Sequence, residues 1–435
     1  MQHYTPIGIT NWRNQKHNFY IKDADRLGHI YAIGKTGVGK STLLLNMAVS
    51  DIQKGKGICI IDPHGDIAEA ILAYVPEHRI DDVIYFNPKD IMYPIAFNPL
   101  KGVHPNYHHL VASGLISTFK KIWADSWGPR LEYILRFSLL TLLEYPDATL
   151  LDIQPLLTDS NYRGIVLNHV TNQHTLSFWK NEYEKYSQTL RSEAISPILN
   201  KTGVFLTSIP LRNIVGQKTR SFRMQQVMDE SKILIANLSK GEIGEDASSL
   251  LGSILVTAIQ LAALFRSTQP EHTRKPFYLY VDEMHSFVSL SFVDILAEAR
   301  KYKLSLFLTH QYIDQIDERI RSAIFGNVGT TISFRIGAQD AEVIAKEFHP
   351  VFTEDDLINL PRFAMYLKLM IDGASSHPFS AVSIPAQPVI HSCKERVIAI
   401  SRKKYGRDRA TIEKSIFERY QNSAKENMEL GLFDK

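Results

Sequence analysis

The chain has 435 residues, 44% of them hydrophobic and 22% charged, with a formal net charge of +3 and two cysteines. That length suits two or three structural units, and the ordinary apolar-to-charged balance excludes intrinsic disorder, a collagen-like repeat and a heptad fibre. Cys59 and Cys393 are too few and too far apart in sequence for a disulfide framework, which points to a reducing, cytoplasmic compartment.

Residues 1–26 form an N-terminal segment without the charged-then-apolar run of a secretory signal. From residue 27, short apolar and β-branched runs alternate with helical patterns, the mark of a mainly parallel α/β sheet. The first part of this core, residues 27–102, carries expected strands at 29–33, 57–61 and 83–86. Ile58, Cys59, Ile60 and Ile61 are apolar without a break, as in a strand covered on both faces. Over residues 103–202 the strand pattern stops. Leu131, Ile134, Leu135, Leu139, Leu142 and Leu143 recur at helical spacing, and residues 176–186 continue as a polar, aromatic-bearing helix, so this stretch reads as an all-helical insertion. The second part of the core, residues 203–389, has expected strands at 233–237, 277–281, 305–309 and 330–336, with a terminal hairpin at 366–371 and 379–384. The apolar stretch 250–265 contains Ser253, Thr257 and Gln260 and is shorter than a membrane span, so it reads as a buried core helix rather than a membrane insertion. Residues 390–435 form a basic helical tail.

The segment Gly34-Lys35-Thr36-Gly37-Val38-Gly39-Lys40-Ser41, continued by Thr42, matches the phosphate-loop pattern in full. Its glycines let backbone N–H groups converge on phosphates, Lys40 reaches the β/γ oxygens, and Ser41 offers a hydroxyl to Mg²⁺ at a helix N-terminus. An expected strand precedes the loop and an amphipathic pattern follows it. Downstream, the apolar run 277–281 ends in Asp282-Glu283. Asp282 is placed to hold Mg²⁺, and Glu283 to deprotonate an attacking water. The next strand ends in His310-Gln311, with Gln311 the preferred γ-phosphate sensor. A guanine-specific enzyme requires an Asn-Lys-x-Asp strand end. The nearest string, Asn200-Lys201-Thr202-Gly203, lacks the aspartate, so the expected substrate is ATP with Mg²⁺.

These motifs, together with Asp62-Pro63-His64-Gly65-Asp66, Glu298-Ala299-Arg300-Lys301-Tyr302 and Trp127-Gly128-Pro129-Arg130, resemble the HerA/FtsK superfamily of P-loop ATPases. The similarity is strongest to HerA-like and TraG/TraD-type conjugative coupling ATPases and runs over residues 23–385. The resemblance implies a RecA-like P-loop core and a homo-oligomeric ring of six subunits with ATP at the interfaces. It also implies sequence-independent translocation of double-stranded DNA. A ring of this kind takes an arginine from the neighbouring subunit. Arg335 and Arg300 are both candidates, with Arg335 slightly preferred. Two departures are expected: no transmembrane anchor, and too few residues before the core for an N-terminal β-barrel.

Other features carry weaker readings. Asp62 and Asp66 flank a Pro-His-Gly turn and read first as an acid-capped turn. His104, His108 and His109 lack Cys or acidic partners at metal-ligand spacing. Arg212, Lys218, Arg220 and Arg223 form a basic loop that either lines a DNA channel or is solvated. The tail residues Lys394, Arg396, Arg402, Lys403, Lys404, Arg407 and Arg409 either bind nucleic acid, pack on a neighbour, or form a solvated helix. The leading function is an ATP-driven DNA translocase. The alternatives are a ring scaffold that organises a nuclease or other effector, and a secretion-type ATPase acting on protein. A relaxase, a nuclease or a secretion channel is the expected kind of partner.

Overall fold

The structure is a computed structural model and describes residues 3–11 and 15–430. Residues 1, 2 and 12–14 of the N-terminal segment, and the last five of the basic tail, lie outside the described residues. The strands in chain order are β1 (Tyr4–Thr10), β2 (Asn18–Lys22), β3 (Ile30–Ile33), β4 (Gly57–Asp62), β5 (Val83–Phe86), β6 (Ile233–Asn237), β7 (Phe277–Val281), β8 (Leu304–His310), β9 (Thr330–Ser333), β10 (Ala364–Lys368), β11 (Met370–Ile371), β12 (Ala374–Ser375) and β13 (Phe379–Ser383). Eleven of them form one sheet in the order β2-β1-β13-β10-β9-β3-β8-β7-β4-β6-β5, and β11 and β12 form a separate ribbon.

The seven strands from β9 to β5 in that order are parallel throughout, and every residue in them is buried. Parallel strands need crossover connections that cover both sheet faces, which is why these strands read as unbroken apolar runs. The helix Lys40–Gln53 is one such cover. It turns Leu43, Leu44, Met47, Ala48 and Ile52 inward on one helical face. The remaining four strands extend the sheet in antiparallel fashion through β10, β13, β1 and β2. The fold is an α/β P-loop NTPase core with added helices.

Beneath the Lys40–Gln53 helix lies an enclosed ion pair. Arg26 donates two hydrogen bonds to Asp51, at 2.7 and 2.9 Å, and a third to Tyr280 Oη at 2.7 Å. Tyr280 Oη in turn donates to Asp51 at 2.6 Å, and the guanidinium stacks 4.0 Å from the Tyr278 ring. Burial opposes the charge on Arg26, but Asp51 outweighs it and raises the guanidinium pKa. Burial likewise opposes the Asp51 charge, and Arg26 overcomes it to hold the carboxyl low. The pair ties the helix that carries the loop to β7 and to the turn before β3.

Two features differ from the elements expected. In the N-terminal segment, where no strand was expected, β1 and β2 form a hairpin that adds two strands to the sheet. Pro6 and Gly8 hide it in the sequence, and the structure places a register shift between them in the pairing with β2. Strand β9 ends at Ser333 rather than at residue 336. Past that point the Phe334 N–H still donates to Ile33 O at 2.9 Å, but the Arg335 carbonyl turns to accept from Lys35 N–H at 2.9 Å.

The second compact unit comprises 87–223, 242–254 and 402–435. In it the helix Pro129–Glu144 buries Leu131, Ile134, Leu135, Leu139, Leu142 and Leu143, the residues whose spacing suggested it. The expected helix at 176–186 is broken. The helix Gln173–Ser177 widens into a π-turn over Phe178–Glu182 and tightens over Tyr183–Lys185. The widening buries Trp179, whose Nε1–H donates to Thr141 Oγ1 at 2.7 Å. The apolar stretch at 250–265 belongs to a longer helix, Glu245–Phe265. By length and composition it is able to cross a membrane, contrary to the length argument from sequence, but 67% of its apolar window is buried within the protein.

Candidate functional site

The loop after β3 is built around its glycines. Gly37 has φ 74° and Gly39 φ 126°, and Gly39 caps the helix Lys40–Gln53. Only glycine holds these angles without strain. The resulting turn points the first N–H groups of a 14-residue helix into a cleft of about 410 Å³. Thr36, Gly37, Gly39, Lys40, Ser41 and Thr42 line that cleft from the loop, and Asp282, Glu283 and Gln311 line it from β7 and β8. The sheet explains the meeting. β3, β8 and β7 are adjacent and parallel, so their C-terminal ends share one edge although Lys40 and Asp282 are 242 positions apart in the chain.

Lys40 is 5% exposed and donates to the carbonyl oxygens of Gly34 and Lys35, the latter at 3.0 Å. Burial lowers its pKa, and the negative charges of Glu283 and Asp282 partly offset that. Asp282 is pushed up to about 6, mainly by burial and further by the Glu283 and Asp62 charges, against a hydrogen bond from Thr309. Thr309 joins the acidic pair: its Oγ1 donates to Asp282 and accepts from the Glu283 N–H at 3.2 Å. Glu283 sits in the left-handed region, φ 46° and ψ 58°, a conformation uncommon for residues other than glycine. Its Oε1 accepts from Gln311 Nε2 at 2.6 Å, and Gln311 Oε1 accepts from Thr36 Oγ1 at 3.1 Å. Glu283 Oε2 is buried without a hydrogen-bond partner and lies 3.5 Å from His285 Nδ1. A continuous chain therefore runs from the loop through Gln311 to the second acid.

The other expected residues are placed as follows. Gly34 and Lys35 begin the loop, and the Val38 side chain is buried beneath it. His310 is buried on the far side of β8, 3.3 Å from Tyr31 Oη, and burial lowers its pKa to about 3, helped by the His285 and Lys40 charges. Asp62 caps its own turn, accepting from the N–H groups of His64 and Ala68 at 2.9 Å each. His64 and Asp66 line the cleft. Arg335 is exposed beside the loop that its carbonyl supports. Arg300 is exposed just before β8 begins, close enough to His29 for its charge to disfavour that imidazolium. It therefore lies at the opposite sheet edge, a strand length of about 20 Å from the loop of its own chain.

A family model for the type IV secretion-system coupling protein DNA-binding domain matches residues 20–348, more than half of the chain. The chain belongs to that family. No curated protein sequence matches it. Among solved structures, the unbound bacterial conjugative coupling protein TrwBΔN70 superposes with a TM-score of 0.63 at 16% identity, covering 85% of this chain and 89% of that one. VirB4 of Thermoanaerobacter pseudethanolicus gives 0.59 at 16% identity, covering 89% and 97%. TrwB has also been solved with a non-hydrolysable ATP analogue, where the match is 0.60 at 16% identity over 85% and 89% of the two chains. At such identities these structures establish a shared fold.

In this coupling-protein family member the basic stretches are largely engaged by its own acids. The basic loop is partly helical, over Ile209–Val215. Arg212 pairs with Glu413 at 3.3 Å and Lys218 with Asp147 at 3.2 Å. In the tail, Lys394 meets Glu69 at 3.5 Å, Arg396 meets Glu77 at 2.7 Å, Arg409 meets Glu413 at 2.9 Å, and Arg402 pairs with Asp90. Among the described residues no His/Cys/Asp/Glu cluster suits a metal ion, and His104 accepts from Asn106 N–H at its own helix start. Sequence reasoning missed Thr309, Arg362 and Phe363. Only Thr309 carried a signal, as a hydroxyl at the tip of the strand beside the acidic pair.

Proposed function

We propose that this chain is an ATP-driven, ring-forming DNA translocase that hydrolyses ATP to ADP and phosphate, in conjugative transfer or a related DNA-processing route. The observation that carries the proposal is the convergence of Lys40, Ser41, Asp282, Glu283 and Gln311 on one cleft from three strand ends. The donor set suits magnesium polyphosphate: an ammonium, a hydroxyl and a carboxylate beside a helix N-terminus, with a buried carboxylate oxygen left without a hydrogen bond.

Ser41 and Asp282 are the residues to hold Mg²⁺, and bound Mg²⁺ neutralises charge on the β- and γ-phosphate oxygens. Loop N–H groups and Lys40 bind and orient the phosphates. To do so, Lys40 exchanges carbonyl partners for phosphate oxygens, whose negative charge favours the ammonium that burial disfavours. Thr309 fixes both acids. Gln311 holds Glu283 through Oε1 and leaves Oε2 to accept the proton of an attacking water. The Gln311 link to Thr36 couples that geometry to occupancy of the loop.

Of the two candidate arginines, Arg300 is the better suited to act on a neighbour. From the far sheet edge its side chain cannot span the distance to its own cleft, whereas Arg335 flanks the cleft of its own chain. The test is steady-state ATPase activity with and without duplex DNA, alongside triplex displacement from a linear duplex. Stimulation by DNA with strand displacement supports a translocase. Slow, DNA-insensitive hydrolysis with ATP-dependent assembly supports a scaffold, and stimulation by a protein substrate alone supports secretion of protein.

A further inference from the structure

Arg362 and Phe363 stand at the mouth of the cleft and have no part in the chemistry above. Phe363 is 39% exposed, and its backbone is left-handed at φ 67°, a region that bulky residues rarely occupy. Two hydrogen bonds hold it there. Its N–H donates to Val38 O at 2.9 Å, and its carbonyl accepts from Ser383 N–H at 2.9 Å. Gly39 makes room for the ring, since a Cβ at that position would lie 3.1 Å from a Phe363 ring carbon. The Arg362 guanidinium carbon sits 4.7 Å from the ring centroid, and Arg362 Nε donates to Gly37 O at 2.9 Å. Both residues line the cleft that Lys40 and Ser41 line.

An apolar ring kept in a strained position and left 39% exposed gains only part of what burial could supply. What it does provide is a flat support for the guanidinium, which the Gly37 carbonyl fixes at the other end. The geometry points to the Arg362–Phe363 pair as the stacking platform for the base of a nucleotide whose phosphates occupy the loop. The inference rests on the nucleotide-binding reading above and extends it to the base. A planar guanidinium laid on an aromatic ring presents a delocalised face that stacks on any base. Such stacking reads the π-face and not the hydrogen-bonding edge, so the platform strengthens binding of adenine and guanine nucleotides alike. A mere phosphate contact by Arg362 would act through charge and would be indifferent to the base.

The test uses the full chain with Mg²⁺ and calorimetric binding of three probes: non-hydrolysable analogues of ATP and GTP, and inorganic tripolyphosphate, which has no base. Arg362→Lys keeps the charge and removes the plane. It is expected to raise Kd for both analogues about tenfold and to weaken tripolyphosphate binding far less. Phe363→Ala shifts the analogues in the same direction, and Phe363→Trp restores them. Equal weakening of all three probes, or no weakening of the analogues, overturns the platform. A wild-type chain that binds neither analogue nor tripolyphosphate overturns the nucleotide reading itself, and this inference with it. If Phe363→Ala fails to fold, Arg362→Lys decides alone.

Discussion

At the scale of single residues, the site is a set of buried polar groups whose partners fix their chemistry. Glu283 has one oxygen held by Gln311 and the other without a hydrogen bond, 3.5 Å from His285 Nδ1, so Glu283→Gln preserves the shape of the cleft but removes the proposed base. Nucleotide binding should be retained while kcat falls at least about 100-fold. Lys40→Ala should abolish hydrolysis by removing the phosphate anchor, and undiminished turnover in either variant would sink the assignment. Thr309→Val loses the hydroxyl that links both acids, and should lower kcat with little change in fold, at a cost of about 1–2 kcal/mol. The Arg26–Asp51 pair tests a different property. Asp51→Ala leaves a guanidinium buried without its counter-charge and should cost about 3–5 kcal/mol in urea unfolding, whereas replacing both by apolar residues should cost far less.

At the scale of elements, the helix Arg409–Leu430 is clamped within its unit by Arg419, which meets Asp152 at 2.6 Å. Tyr162 Oη donates to the same carboxylate at 2.6 Å. Arg419→Ala leaves Asp152 buried without its cation and should destabilise this contact by about 3 kcal/mol. Limited trypsin digestion should then cut faster near Arg407, and an unchanged rate would show that the helix is held elsewhere. Internal pairing offsets part of the tail's basic charge: a run of Lys and Arg in sequence does not reveal that Glu69, Glu77 and Asp90 stand opposite Lys394, Arg396 and Arg402. The β1–β2 hairpin is the other element whose role is topological. Deleting it leaves β13 as an open, hydrogen-bonding edge, which should promote association visible by light scattering.

At the scale of the whole molecule, acid should weaken the fold through buried neutral histidines. Burial lowers the His29 pKa from 6.5 to about 4, with the Arg300 charge contributing. Between those values the unfolded chain takes up a proton that the folded chain refuses, so stability is lost as pH falls through this window, by about 3 kcal/mol for His29. His29→Asn tolerates the left-handed backbone there and should flatten the pH dependence of the urea midpoint between pH 6.5 and 4. Assembly offers a second test at this scale. If Arg300 serves a neighbour's cleft, inactive Arg300→Ala and Lys40→Ala chains should regain ATPase activity when mixed, because some interfaces then pair an intact loop with an intact arginine. No recovery on mixing would remove Arg300 from that role.

The sequence by itself determined the phosphate-loop pattern and most of the parallel sheet. Residues 34–41 carry the phosphate-loop pattern in local spacing, and buried parallel strands such as Ile58–Ile61 must be apolar on both faces, so each is visible in a few consecutive residues. The tertiary structure decided what depends on distant partners. It showed that Asp282 and Glu283 share an edge with Lys40, that Thr309 joins the two acids, and that Arg300 stands at the opposite end of β8. It also added a hairpin whose proline and glycine obscure its strands, broke a helix so that Trp179 could be buried, and set Arg362 on Phe363 beside Gly37. Strand order and side-chain pairing arise from contacts across hundreds of residues, and no local periodicity encodes them.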